Sequence, residues 1–270
     1  MINIFKSDIY RLIHGRKLWV MTALIAVMNI GLIALSFYMV RHVEGELDAD
    51  TAMFDSMRFD SHAMLLSELG ITDTTLSVLT TIFAVLVVNE DFETGFVKNL
   101  AAGRPMGGYY VGRLLTLAAL TVWHTLVYVV SAEIGFGMLG FRFDQREDWG
   151  VYFGFVGLVM LGVFAMSAVV AFATWLCRSR GVGIVAMIVV QPTGPAEVAL
   201  FTAAQLFDKP VSSWFANAME WLPSYNFSQL DAASTIAGMP AWLHALIAFV
   251  GWIALAGGAA VLINRRRSVC

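Results

Sequence analysis

Three ionisable side chains that interrupt apolar sequence are the residues best placed to do chemistry in this chain: His124, Glu133 and Glu197. Ionisable groups in apolar surroundings usually face a partner group or a water-filled path. In one interpretation these side chains line a path for a substrate, where the two carboxylates meet a cationic group. In the alternative interpretation, which we favour for Glu133 and His124, the glutamates are solvated at the ends of apolar runs and His124 bonds a neighbouring helix; for Glu197 both interpretations stay open.

The sequence contains none of the motifs that support common enzymatic chemistry. It lacks the Gly-x-x-x-x-Gly-Lys-Ser/Thr phosphate loop, the His-Glu-x-x-His zinc motif and the Gly-x-Ser-x-Gly nucleophile motif. The two cysteines, Cys177 and Cys270, make no disulfide framework, and a net charge of −3 gives no electrostatic case for nucleic acid. We expect no catalytic residue, no metal site, no cofactor in this chain and no nucleic-acid partner.

The composition predicts an all-α integral membrane protein. Hydrophobic residues make up 59% of the 270 residues, and the mean hydropathy is +0.73. Runs of about 20 apolar residues are long enough to cross the hydrocarbon core as helices. We expect a single transmembrane domain over residues 1–270 with six spans, roughly 18–40, 71–89, 109–139, 151–176, 181–201 and 241–263, and no nucleotide-binding domain.

The N-terminal residues predict a helix that lies on the membrane surface. Phe5, Ile9, Leu12 and Ile13 fall on one helical face, and the charged residues Lys6, Asp8, Arg11, Arg16 and Lys17 fall elsewhere. This pattern is typical of a basic interfacial helix on an anionic membrane. A signal peptide is the competing interpretation, but the following run is longer than a signal core and has no small-residue cleavage pattern, so we expect it to be retained as the first span.

The connections between the spans differ in character. Residues 41–73 form an acidic loop, with a short helix expected over 63–69. The fifth span is interrupted at residues 191–195, so we expect a broken or kinked helix there. Residues 203–239 are semi-polar and aromatic, which predicts short re-entrant or interfacial helices between spans five and six. Within the spans, Asn29 and Gln191 are expected to donate hydrogen bonds between helices.

The distribution of basic residues predicts the orientation. With six spans and the N-terminus inside, 12 of the 17 Lys and Arg residues lie on the cytosolic side. Positive residues favour the cytosolic side of a membrane protein. We therefore expect a multi-pass protein of the plasma membrane with both termini in the cytosol, and the glycine- and alanine-rich composition hints at a bacterial membrane.

The short charged segment between the second and third spans predicts a surface helix on the cytosolic side. Phe92, Phe96 and Leu100 recur every four residues, and Asp91, Thr94 and Lys98 face away from that row. Gly103, Arg104 and Pro105 then end the helix before the third span. The chain is expected to leave the membrane, run along its surface for about three turns and return.

This segment resembles the cytosolic coupling helix of type-2 ABC exporter permeases. The resemblance is carried by Glu90, Glu93, Gly95, Lys98 and Asn99, then Arg104 with Pro105, then the tyrosine pair and the basic residue that open span three, Tyr109, Tyr110 and Arg113. The whole chain is similar to the family in its N-terminal basic helix and six spans, and most resembles the compact permeases of bacteriocin-immunity and bacitracin-resistance exporters. The pair Gly107 and Gly108 and the longer acidic first loop depart from the family pattern.

The resemblance implies a permease subunit of an ATP-driven exporter that moves an amphipathic substrate, such as an antimicrobial peptide, a drug or a lipid. It implies two copies of a separate ABC ATPase, which would hold ATP and Mg, and a second permease chain, identical or homologous. The residues expected to engage the ATPase are Phe92, Glu93, Gly95, Phe96, Lys98 and Arg104.

Two other interpretations of the segment stay open. It could be an amphipathic helix whose aromatic rings simply lie among lipid headgroups. Alternatively, the chain could be a membrane sensor or anchor that recruits a cytosolic ATPase through this segment without transporting a substrate.

Overall fold

The computed structural model describes residues 2–43, 58–59, 75–94, 107–140, 142–143, 148–230 and 235–265. The described chain is mainly helical, and we number its helices in order: α1 Ile2–His14, α2 Arg16–Val43, α3 Thr75–Glu93, α4 Gly107–Leu139, α5 Trp149–Cys177, α6 Arg180–Val190, α7 Pro195–Leu206, α8 Val211–Glu220, α9 Pro223–Ser228 and α10 Ala241–Arg265. The predicted acidic-loop helix over 63–69 lies outside these residues. The all-α prediction is confirmed.

The described strands are short and form two pairs. The first pair, β1 Arg58–Phe59 and β2 Arg142–Phe143, is parallel, with Arg58 opposite Arg142. The second pair, β3 Thr235–Ile236 and β4 Met239–Pro240, is antiparallel and leads into α10. Each strand is two residues long, so these pairs add little to a fold that depends on helix packing.

Five described helices are long and apolar enough to cross a membrane: α2, α3, α4, α5 and α10. A sixth candidate is the pair α6 and α7, which pass the same test together and are bent by 50° at the break between them. The chain therefore has five or six helices of membrane-spanning character among its described residues.

The break in the fifth apolar run lies where the proline and glycine residues predict it. Helix α6 ends at Val190, Gln191 is extended with ψ 153°, and Pro195 begins α7. Proline suits the first position of a helix because its missing N–H would have no partner there. The short helices α8 and α9 follow, in the stretch where sequence analysis expects short helices.

The core of the molecule is built around α5. Val159, Val163 and Met166 of this helix are fully buried. A side chain at Gly162 would lie 2.7 Å from a ring carbon of Phe227 and 2.8 Å from one of Phe249, so only glycine lets α9 and α10 approach α5 this closely. The apolar residues of these helices that face away from the core are the ones a membrane would cover.

The end of the second apolar helix differs from the sequence-based expectation. The sequence predicts a second span that ends at residue 89, whereas α3 continues through Glu93. The polar residues Asn89 and Asp91 do not end the helix because both are buried against protein. Asn89 also donates a hydrogen bond of 2.5 Å to Glu93 one turn later, which supports the last turn.

Buried amides connect the helices as predicted. The amide nitrogen of Asn29 donates to the carbonyl of Tyr128 and to the hydroxyl of Ser131, both at 2.8 Å, and so joins α2 to α4. Gln191, at the break after α6, is joined to two hydroxyls of α3. Hydrogen bonds of this kind fix helices in contact with each other where the surroundings are apolar.

We predict that Gln191→Leu destabilises the protein by about 1–2 kcal/mol. The change removes the bond that Gln191 accepts from Ser77 at 2.6 Å and the bond that it donates to Thr81 at 3.0 Å. Chemical unfolding in detergent micelles measures the effect, and Gln205→Leu at an exposed position of α7 is the matched control. Equal stability of the two variants would show that the break is not held by these bonds.

Candidate functional site

Charged and polar residues from three helices meet in one buried group, which we call the ionic cluster. Asp8 comes from α1, Asp91 from the last turn of α3, and Tyr109 and Arg113 from the start of α4. Asp8, Asp91 and Arg113 are fully buried, and Tyr109 is 3% exposed. Charged residues are almost never fully buried unless they are paired, so this group requires a specific arrangement.

The guanidinium of Arg113 lies between the two carboxylates. Its Nη1 is 2.9 Å from Oδ2 of Asp8, and its Nη2 forms an ion pair with Oδ2 of Asp91. The same Asp91 oxygen accepts a hydrogen bond of 2.5 Å from the Tyr109 hydroxyl. The carbon Cζ of Arg113 is 5.6 Å from the centre of the Tyr109 ring. One arginine thus links α1 and α3 to α4.

A second arginine, Arg11, contacts both carboxylates from the surface side of the cluster. Arg11 Nη2 donates to Oδ1 of Asp91 at 3.2 Å and lies 3.6 Å from Oδ1 of Asp8, while the Arg11 side chain remains 39% exposed. The hydroxyl of Thr116 donates to Asp8 at 3.3 Å. Two acidic and two basic side chains therefore balance in charge, which is what allows most of the group to be removed from water.

The neighbours of the Asp8 carboxyl have opposing effects on its pKa. Burial raises the pKa of the Asp8 carboxyl above its usual value of 3.8, the attraction of Arg113 opposes that rise, and the repulsion from Asp91 adds to it. Two carboxylates share one fully buried guanidinium, so neither of them has a cation to itself. The cluster consequently depends on Arg113 more than on any other member.

Local structure explains why each member needs the others. Asp91 lies at the C-terminal end of α3, where the negative end of the helix dipole disfavours a carboxylate. Tyr109 and Arg113 are four residues apart in α4 and so lie on the same face. Asp8 is the only acidic residue of α1, and its burial draws that helix against the other two.

The cluster flanks the segment that resembles a coupling helix. Asp91 lies four residues before residue 95, and Tyr109 lies three residues after residue 106, while residues 95–106 are outside the described part of the chain. The predicted residues Gly95, Phe96, Lys98 and Arg104 are among them, so their placement stays a prediction. The structure does describe the residues on both sides of this segment. Asp91 before it pairs with Arg11 of α1, and Arg113 after it pairs with Asp8 of α1.

The described members of the predicted ATPase-contacting set have different surroundings. Phe92 is half-buried and packs against the apolar residues beside Tyr109 and Tyr110. Glu93 is exposed and accepts the hydrogen bond from Asn89. The expectation that Asp91 lies on an outward polar face is wrong, because Asp91 is buried in an ion pair with Arg113. The helical spacing of residues does not predict such a partner from another helix.

The three candidate substrate-path residues each bond a different partner. His124 is fully buried, with Nδ1 3.2 Å from the Thr80 hydroxyl of α3. Glu133 is exposed and accepts a hydrogen bond of 2.9 Å from Tyr152. One carboxylate oxygen of Glu197, Oε2, accepts a bond of 3.2 Å from the backbone N–H of residue 193. His124 thus bonds a neighbouring helix, as the alternative interpretation predicts.

The ionic cluster was missed as a unit by sequence reasoning, although one signal for it existed. Arg113 lies inside the third apolar run, and an arginine in such a position needs a buried acidic partner. Asp8 and Asp91 are 83 residues apart in the sequence, and nothing in their spacing shows that they meet. Within the described residues, no group of three or more His, Cys, Asp or Glu side chains could hold a metal ion.

Comparison of the sequence with protein-family models and with curated proteins gives no match.

We predict that Arg113→Met destabilises the protein by about 3–5 kcal/mol, because Asp8 and Asp91 would be left buried without their shared cation. Unfolding in detergent micelles measures the loss. Lys17→Met is the matched control, since Lys17 is 61% exposed and pairs with Glu90 at 3.0 Å, and it should cost less than about 1 kcal/mol.

A third variant separates loss of charge balance from loss of packing. The combination Asp8→Asn, Asp91→Asn and Arg113→Met removes all three fully buried charges and should recover part of the lost stability. If Arg113→Met costs no more than Lys17→Met, the buried ion pairs contribute nothing and the description of the cluster is wrong.

Proposed function

We propose that this chain is the permease subunit of an ATP-driven exporter of the type-2 ABC kind, and that it moves an amphipathic substrate across a bacterial plasma membrane. In this proposal the chain has six spans, with α6 and α7 forming the fifth. Both termini and the segment of residues 95–106 are cytosolic, and α8 and α9 lie at the outer surface. Two copies of a separate ATPase bind ATP and Mg, and a second permease chain completes the transporter.

The observation that carries the proposal is the ionic cluster at the two ends of the coupling-like segment. A transmitting element must be fixed to the helices that it moves, because a flexible attachment would absorb the motion. Asp91 before the segment and Arg113 after it are paired to each other, and both are paired to residues of α1. A displacement of the segment by an ATPase would therefore move α1, α3 and α4 together.

The surrounding packing supports a rigid base for the segment. Tyr109 and Tyr110 are buried with ring centres 5.2 Å apart, and Tyr110 packs on Trp175 of α5 at 5.1 Å. The start of α4 is therefore held against α5 as well as against α1 and α3. A displacement of the start of α4 would therefore also move α5, the helix around which the core is built.

The composition of the spans supports an amphipathic substrate. The described spans carry few ionisable groups, and the outer ends of the apolar runs carry Glu133 and Glu197. An amphipathic molecule with a cationic group, such as an antimicrobial peptide or a drug, suits this combination. A lipid is the third kind of amphipathic substrate that the proposal includes.

We predict that Phe96→Asp abolishes retention of the partner ATPase in a detergent pulldown, because buried aromatic residues contribute most to contacts of this kind. Phe96 is a better position for the test than Phe92, which is half-buried against the permease's own core. Trp149→Asp is the matched control, since Trp149 is 68% exposed at the start of α5, the opposite end of that helix from Trp175.

The proposal requires the wild type and Trp149→Asp to retain the ATPase and Phe96→Asp to lose it with its melting temperature unchanged. If no form of the chain retains an ATPase, the segment is a lipid-surface helix and the exporter proposal fails. If the ATPase binds but its hydrolysis never responds to amphipathic cationic peptides, the sensor or anchor function replaces transport.

A further inference from the structure

A hydrogen-bond network that includes a buried histidine joins the end of α8 and α9 to the start of α10. We call it the His244 network and define it by Trp221, Asn226, His244 and Trp252. The side-chain oxygen of Asn226 lies 2.7 Å from Nδ1 of His244, and the indole N–H of Trp252 donates to the carbonyl of Trp221 at 2.7 Å. Asn226 and His244 are fully buried. Two hydrogen bonds therefore attach this part of the chain to α10.

The partners of Asn226 determine which nitrogen of His244 carries the proton. The amide nitrogen of Asn226 donates to the carbonyls of Glu220 at 2.6 Å and Leu222 at 2.9 Å, so the amide oxygen is the atom that faces His244. That oxygen can only accept a hydrogen bond, and Nδ1 of His244 must therefore be the donor. In the neutral imidazole the other nitrogen, Nε2, then carries a lone pair.

The surroundings of Nε2 do not accommodate a proton on this nitrogen. Nε2 is buried and has no hydrogen-bond partner among the residues that the structure describes. A proton on it would create a buried positive charge and an N–H without an acceptor, and both disfavour the packed network. The ring of Trp221 lies beside the imidazole, with ring centres 4.5 Å apart, but its attraction for a cation is weaker than the cost of an unpaired buried charge.

Ionisable side chains lie on the helices around His244: Glu220 on α8, Tyr225 on α9, Tyr128 and Glu133 on α4, and Tyr152 on α5. Burial and the charges of Glu220 and Glu197 raise the pKa of Tyr225, so this phenol is uncharged near neutral pH. Glu133 accepts the hydrogen bond of Tyr152. The carboxylate of Glu220, whose carbonyl bonds Asn226, is thus a negative charge at the end of α8 that would attract an imidazolium once the network is open.

We propose that His244 is a proton-sensing residue, and that uptake of a proton at Nε2 opens the His244 network and separates α9 from α10. Histidine is the side chain that ordinarily changes its charge between about pH 5 and about pH 8. The open network exposes the imidazole to water, where it can bind a proton, so the open state binds more protons than the packed state. Acidification therefore favours the open state. The proposal goes beyond the exporter function and requires no ATPase.

The accessibility of a cysteine in α9 tests the proposal. Cys177 and Cys270 are replaced by serine, and Ser224→Cys places a thiol at a position of α9 that is 1% exposed. Ser213→Cys, at an exposed position of α8, is the reference, because the reactivity of any thiol depends on pH. The full chain in micelles reacts with dithiodipyridine at about pH 7.5 and about pH 5.5. The measured quantity is the rate for the buried thiol divided by the rate for the reference.

This relative rate should rise at least about tenfold on acidification, because protonation favours the open state. His244→Gln keeps an N–H for Asn226 but cannot take up the proton, and it should abolish the rise. His14→Gln, which removes an exposed histidine of α1, is the matched control and should retain it. Equal relative rates at the two pH values in the parent chain, or a rise that persists in His244→Gln, would overturn the proposal.

A second measurement needs no substitution in the network of the chain under study. Nitrogen NMR of the full chain with isotope-labelled histidine reports which ring nitrogens carry protons, and the missing signal of His244→Gln assigns His244. The proton should lie on Nδ1 at neutral pH, and both nitrogens should carry protons in the pH range where the thiol in α9 becomes accessible. A neutral imidazole with its proton on Nε2, or an imidazole that gains no second proton as α9 becomes accessible, would contradict the proposal.

Discussion

The contact between Arg113 and its two carboxylates is the interaction on which the cytosolic-side architecture, as we propose it, depends. Asp8 and Asp91 are both fully buried, and without a cation between them their mutual repulsion and loss of hydration would separate α1 from α3. Tyr109, Thr116 and Arg11 donate hydrogen bonds to the two carboxylates, and Arg11 adds a second positive charge. A buried group of this kind is a poor way to gain stability, because a well-packed apolar core of the same size would often be as stable. We infer that it favours one specific arrangement of three helices.

That specific arrangement gives α1 two different faces. Its inner face contributes Asp8 to the ionic cluster, and Ile4 and Leu12 pack against the apolar residues beside it. Its outer face carries the exposed side chains of Lys6, Tyr10 and His14. The helix is thus placed between the bundle and its surroundings.

Much of the fold could be predicted from the sequence because hydrophobic runs report membrane-spanning helices directly. The break of the fifth run at Pro192 and Gly194 follows from backbone chemistry, and the hydrogen bonds of Asn29 and Gln191 follow from the need of buried amides for partners. The ionic cluster could not be predicted, because helical periodicity separates polar from apolar faces and does not tell whether a polar face meets water or protein. Asp8 and Asp91 both lie on polar faces that turn inward. Arg113 was the signal for the cluster, because a charged residue within an apolar run needs a buried partner. The sequence does not show which residues are that partner.

Hydrogen exchange of the α1 amides tests most directly whether Arg113 holds this helix to the bundle. The exchange of residues 2–14 would be followed by mass spectrometry in the full chain in micelles, with the amides of α10 as the internal reference. Our account predicts that Arg113→Met speeds the exchange of α1 by at least about tenfold while α10 changes far less. If α1 exchanges at the wild-type rate in the variant, the helix is held by other contacts and the ionic cluster is not the joint that we describe.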